Sequence, residues 1–186
     1  MQLPQNTALL LIDVQQGLDD PHYGERNNPD AETRIAEVLQ AWRGAGWPVY
    51  HVQHHSTEAD SPLQPGRPGV AFKPEAQPQG NEPVFVKQVH SGFIGTDLEA
   101  RLRADDVETL VVAGLTTPHC VSTTTRMANN LGFTVYLLAD ATAAHSATGY
   151  DGTAYSGQQV HEAALTNLHG EFATVTTTSK ALESFT

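Results

Sequence analysis

Cysteine is almost absent from this chain of 186 residues: Cys120 stands alone. That excludes an intrachain disulfide and any zinc site built on paired cysteines, and a lone thiol suits the reducing cytoplasm. Positive charge is scarce as well. Ten Lys and Arg face 21 Asp and Glu, giving a formal net charge of −11. Nucleic acids and anionic membranes are bound by clustered Lys and Arg, so neither is an expected partner. No apolar run is longer than Ala8–Ile12, far short of the ~20 residues that span a bilayer. Met1–Gln5 has no basic start leading into an apolar stretch, so no secretory leader is predicted. Three motifs are also missing: the G-x-S-x-G elbow of serine hydrolases, the G-x-G-x-x-G dinucleotide turn and the Walker phosphate loop.

What is present is a globular pattern of one-domain length, 1–186, with 39% apolar residues. Strand and helix patterns alternate. Strands are predicted at Thr7–Asp13, Pro48–Gln53, Val84–Lys87, Thr109–Gly114, Thr134–Leu138 and Phe172–Thr176. Helices are predicted at Pro29–Trp42, capped by Asn28; after Thr96, with Glu99 completing a capping box; at Cys120–Leu131; and at Gln158–His169. Residues 54–83 and 145–157 are polar, rich in Gly and Pro or Tyr, and read as long loops; the second is a lid, an oligomer contact or a plain surface loop. Successive crossovers imply an α/β fold: a mainly parallel six-stranded sheet with helices on both faces. Ligands of such sheets bind beyond the carboxyl ends of the strands.

Asp13, Lys87 and Cys120 fall at those ends. Singly, each has a plain structural reading: a turn cap, a solvated lysine, a small packed residue. Together they complement one another. A helix start and an ammonium favour the thiolate, a carboxylate can take the thiol proton and pass it to a leaving amine, and backbone N–H groups near Cys120 can hold an oxyanion.

The segments LLLIDVQQGL (9–18), VKQVHSGFIGTDLEARLR (86–103), VVAGLTTPHCVSTTTRMANNLGF (111–133), DAT (140–142) and VHEAALTNLHGEFATV (160–175) resemble the isochorismatase-like cysteine hydrolases over nearly the whole chain. The resemblance implies an Asp13–Lys87–Cys120 triad and a cis peptide at Leu115–Thr116. It also implies an oxyanion hole from the Thr116 and Cys120 N–H groups, and a homodimer or larger homo-oligomer. The expected reaction is hydrolysis of a small-molecule C–N bond in an amide, ureide or lactam, through a thioester and without a cofactor. Variants at the three triad positions are expected to lose turnover and keep the fold. Vinyl-ether cleavage with Asp13 as acid, or a ligand-binding member without catalysis, are the alternatives; a thiol redox role lacks a resolving cysteine. Nicotinamidases carry a metal-binding Asp-x-His after strand two, where this chain has His54-His55-Ser56, so no metal is expected. The expected pocket wall is Leu18, Tyr23, His54, His90, Phe93, Thr117 and His119, without a Lys or Arg to clamp a carboxylate.

Overall fold

A computed structural model describes residues 2–185. Its frame is set by short segments that are apolar at every position rather than at alternate ones. β1 (Ala8–Ile12) is buried throughout, as strands covered on both faces are. β2 (Val49–His54), β3 (Val84–Lys87), β4 (Thr109–Leu115) and β5 (Thr134–Ala143) follow. β6 (Ala147–Thr148) and β7 (Ala154–Tyr155) form a small antiparallel hairpin apart from the main sheet, and β8 (Thr174–Thr176) returns to it. The main sheet is six-stranded and parallel, in the order β3-β2-β1-β4-β5-β8.

Successive strand residues face opposite sides, so the sheet divides the core in two. On one side Leu9, Leu11 and Val111 meet Ile35, Val38, Leu39 and Trp42 of α1 (Ala31–Ala45) and Ala181 of α5 (Thr178–Leu182). On the other, Leu10, Ile12 and Val112 meet α2 (Leu98–Ala104), α3 (Ser122–Asn130) and α4 (Gly157–Leu168) through Leu98, Leu102, Ala128 and Leu168. Each such fully buried aliphatic side chain contributes about 1.5–3 kcal/mol over an exposed one. Among the described residues no helix is long and apolar enough to cross a membrane.

Several local expectations are corrected. Asn28 does not cap α1: its backbone is left-handed (φ 45°), and its amide donates to the Ala139 and Thr142 carbonyls at 2.9 and 2.7 Å. The Thr96–Glu99 capping box does not form, because Thr96 Oγ1 donates to Gly92 O and accepts from Leu98 N, while Glu99 pairs with Arg103. A capping box forms instead at Ser156 and Gln159 of α4. β5 runs past Leu138 to Ala143, which places the DAT segment inside the sheet. The predicted helix at 120–131 begins two residues later, behind a π-type turn over Thr117–Val121. β5 also shifts register against β4 between Val112 and Gly114. There Gly114 has φ 126°, and a Cβ would lie 2.1 Å from Ile12 O.

Candidate active site

Strand order reverses between β1 and β4, the place where parallel sheets open a crevice for ligands. Asp13 leaves β1 with a left-handed backbone (φ 50°) that turns its side chain out of the strand alternation. Gln15, fully buried, braces the neighbouring strand: its Nε2 donates to the His54 and Val70 carbonyls, and its Oε1 accepts from His54 N at 2.8 Å. Lys87 ends β3 in register with His54 at the end of β2. Its side chain has no solvent exposure and reaches beneath the end of β2 toward the crevice. Nζ lies 2.6 Å from Asp13 Oδ2, 3.1 Å from His54 Nδ1 and 3.3 Å from Cys120 Sγ. An ammonium has three donors and no acceptor, and here all three are taken.

The electrostatics follow from burial. Asp13 is held above the usual carboxylate range because desolvation outweighs the attraction of Lys87. His54 is pushed down to about 4 by burial and by the Lys87 charge, so its ring is neutral at neutral pH and Nδ1 accepts from Lys87. Burial, and then the Asp13 charge, push Cys120 up to about 12 against the pull of Lys87. The helix start and the ammonium, expected to favour the thiolate, are outweighed by burial, so the resting group is a thiol whose proton Asp13 is expected to take. Asp13 Oδ1 is buried with no full hydrogen bond to any described group, and a carboxylate oxygen of Asp13 lies within 4.8 Å of Sγ. Lys87 fixes one carboxylate oxygen, and the carboxylate stands close enough to the thiol to take its proton.

Cys120 sits in the π-type turn that follows a cis Leu115–Thr116 peptide. Beside it opens a cavity of about 300 Å³, walled by Leu18, Tyr23, His54, His90, Thr116 and His119, all but Thr116 predicted wall residues. His90 Nδ1 is 3.7 Å from Sγ, and His119 Nδ1 is 3.2 Å from Thr116 Oγ1. Two predicted wall residues lie elsewhere. Phe93 is buried in the core, stacked on Phe133 at 6.1 Å between centroids. Thr117 is fully buried and turned toward His161. Sequence reasoning missed Leu63, Pro118, Val160 and the run His145–Ala147 as wall residues. Only His145–Ala147 carried a signal, lying in a polar segment just beyond a strand; Leu63 comes from the Pro- and Gly-rich loop, where no periodicity places it.

One group of three among the described residues could ligate a metal: Asp13, His54 and Cys120, with donor atoms within 4.8 Å of one another. The Lys87 ammonium stands in contact with all three, so a cation already fills the position a metal would take. His51 and His55 do not join it. His51 pairs with Glu82 at 2.8 Å, and His55 contacts Gln53.

A doubly covered parallel sheet, with its reactive groups gathered where the strand order reverses, defines an α/β enzyme of the Rossmann-like class. The chain belongs to the isochorismatase family of hydrolases: the Isochorismatase domain matches residues 7–180. It is 44% identical over 183 residues to the isochorismatase family protein YrdC of Bacillus subtilis (strain 168), covering 98% of each chain. It is 31% identical to the ureidoacrylate amidohydrolase RutB of Methylobacterium radiotolerans, covering 92% of this chain and 76% of that one. The crystal structure of an isochorismatase-family protein from Chromobacterium violaceum ATCC 12472 superposes with a TM-score of 0.96 at 45% identity, covering 100% of this chain and 96% of that one.

Proposed function

We propose that this hydrolase cleaves a C–N bond of a small, uncharged amide, ureide or lactam, with Cys120 as nucleophile, Asp13 as acid and base, and Lys87 as their electrostatic anchor. The observation that carries the reading is the three-way contact of the Lys87 ammonium with Asp13, Cys120 and His54. Because the thiol is protonated at rest, Asp13 removes its proton as Sγ attacks the carbonyl carbon. The raised proton affinity of Asp13 makes it a stronger base than a solvated carboxylate. The Thr116 and Cys120 N–H groups receive the oxyanion, a contribution worth ~100 to 1,000-fold per donor in comparable sites. Asp13 then protonates the departing nitrogen, and water, deprotonated by Asp13, releases the acid from the thioester. The similarity to an amidohydrolase supports the C–N assignment. The cavity wall contains no Lys or Arg, which favours a substrate without a carboxylate. No cofactor enters the scheme. Assembly as a homodimer or larger homo-oligomer, and residence in the reducing cytoplasm, belong to the same proposal.

A test needs no knowledge of the natural substrate. Wild-type protein mixed with p-nitrophenyl acetate is expected to release a burst of nitrophenolate and to carry one acetyl group on Cys120 by intact mass, whereas Cys120→Ala shows neither. Absence of the wild-type burst would overturn the nucleophile assignment. A second reading then gains weight. The elevated proton affinity of Asp13 also suits a carboxylic acid that protonates a vinyl ether, and that chemistry would survive Cys120→Ala.

A further inference from the structure

We propose that His161 of α4 is a positioning residue for the nucleophile turn, acting through the hydroxyl of Thr117 to hold the backbone that presents the Thr116 and Cys120 amides. The inference rests on the hydrolase reading above and deepens it.

His161 is a buried titratable side chain, 4% exposed, that takes no part in the proton transfers. Its Nδ1 lies 2.8 Å from Thr117 Oγ1, itself fully buried. The opposite ring nitrogen is 3.4 Å from Asn28 Nδ2. A hydroxyl both donates and accepts, so the bond between Thr117 and His161 forms with either ring tautomer. Burial lowers the proton affinity of this imidazole, which favours the neutral ring with one donor and one acceptor nitrogen.

The anchor behind His161 is firm. Asn28 donates to the Ala139 and Thr142 carbonyls. Asn27 exchanges bonds with Ala144, N to O at 3.0 Å and Oδ1 from N at 2.7 Å. The first residue of α4, Gly157, is packed so closely that a Cβ would stand 2.6 Å from Ala144 O. On the other side of the hydrogen bond, Thr117 lies between Thr116 and Cys120 in a turn where Thr116 O accepts from His119 N at 3.2 Å and from Val121 N at 3.3 Å. At 2.8 Å, the buried side-chain bond that reaches the turn from outside is shorter than either of these. A donor array misplaced by about 1 Å can cost ~100-fold in rate.

Two reactions at Cys120 separate positioning from general damage. Acetylation by p-nitrophenyl acetate develops an oxyanion; alkylation by iodoacetamide, at a saturated carbon, does not. Thr117→Val and His161→Leu are each expected to slow the acetylation burst at least tenfold while leaving the alkylation rate within twofold. The double variant should be no slower than the worse single one, because both break the same bond. His161→Asn, whose side-chain amide can accept or donate where Nδ1 stood, should recover most of the burst. Unchanged acetylation in both single variants would overturn the proposal. A parallel fall of acetylation and alkylation would also overturn it, by showing a packing role alone. Wild-type protein that gives no burst would instead refute the hydrolase reading, and the positioning role with it.

Discussion

Lys87 Nζ and Asp13 Oδ2 meet 2.6 Å apart, and the two side chains are 0% and 2% exposed. Such a pair is costly to desolvate, and it stays compensated only while both charges are present. Lys87→Met would strand a carboxylate, so the expectation from sequence that triad variants keep the fold intact does not carry over to this position. We expect Lys87→Met to lose about 3–5 kcal/mol of stability at pH 7, read as a lower urea midpoint with an unchanged slope. Adding Asp13→Asn should recover part of that loss, since no buried charge then remains. A double variant less stable than Lys87→Met would contradict this account.

The two partners act oppositely on the thiol. The negative charge of Asp13 raises the proton affinity of Cys120 and the positive charge of Lys87 lowers it. For a thiol whose pKa lies at about 12, the reactive thiolate is a small fraction at pH 8 and grows with pH without a plateau below pH 10. Asp13→Asn removes the charge that disfavours the thiolate. It should therefore alkylate faster with iodoacetamide at pH 8, by tenfold or more, although it loses hydrolysis through want of a base. Lys87→Met should alkylate more slowly. If both variants shift the alkylation rate in the same direction, the opposed charges are not what sets this thiol.

Much of this arrangement was legible in the sequence because it depends on strand ends. The uniformly apolar TALLLID and TLVVAG segments announce strands covered on both faces. A residue at the carboxyl end of such a strand has few places to go except the crevice, which is why Asp13, Lys87 and Cys120 could be grouped. His54 illustrates what stayed hidden. Its place beside the second strand marked it as a wall residue, but its role as the third acceptor for Lys87 depends on a lysine reaching past a neighbouring strand, a contact without a sequence period. The balance of effects on the thiol stayed hidden for a related reason. A helix start and a lysine are visible in the sequence, whereas the burial that outweighs them is a property of the packed molecule. Phe93 and Thr117 lie close in sequence to true site residues, but packing turns them from the cavity, Phe93 into the core against Phe133 and Thr117 toward His161.

The same geometry predicts a gain of metal binding. In the wild type the three potential ligands, Asp13, His54 and Cys120, all contact the lysine ammonium. Dialysis against EDTA should therefore leave the acetylation burst unchanged. Lys87→Ala empties the middle of the group and leaves a carboxylate, an imidazole and a thiol within 4.8 Å of one another, a donor set that with one water matches tetrahedral zinc. We expect this variant to bind about one zinc per chain by elemental analysis after dialysis, and to be stabilised thermally by added zinc. A Lys87→Ala protein that holds no more zinc than wild type would show that the three donors do not converge as described.

Gly114 carries the heaviest local demand of the fold. It sits where β4 and β5 lose register, beside the end of β1, with φ 126°. A Cβ there would lie 2.1 Å from Ile12 O and 2.6 Å from Ile12 N, and both are strand backbone with no freedom to move aside. Relief would require β1 and β4 to part next to Asp13 and the turn that carries Cys120. Gly114→Ala combines an unfavourable backbone conformation with a backbone clash, two of the few routes to a loss above about 4 kcal/mol from a single substitution. The variant is expected to express poorly or to melt well below the wild type. Gly44→Ala, at an α1 position where a Cβ meets nothing within 4 Å, should raise stability by a few tenths to about 1 kcal/mol. Thermal melts of the two side by side test whether the close approach of β1 and β4, rather than glycine content in general, sets the requirement. A Gly114→Ala protein as stable as wild type would mean that the strands can separate at the active-site end without cost.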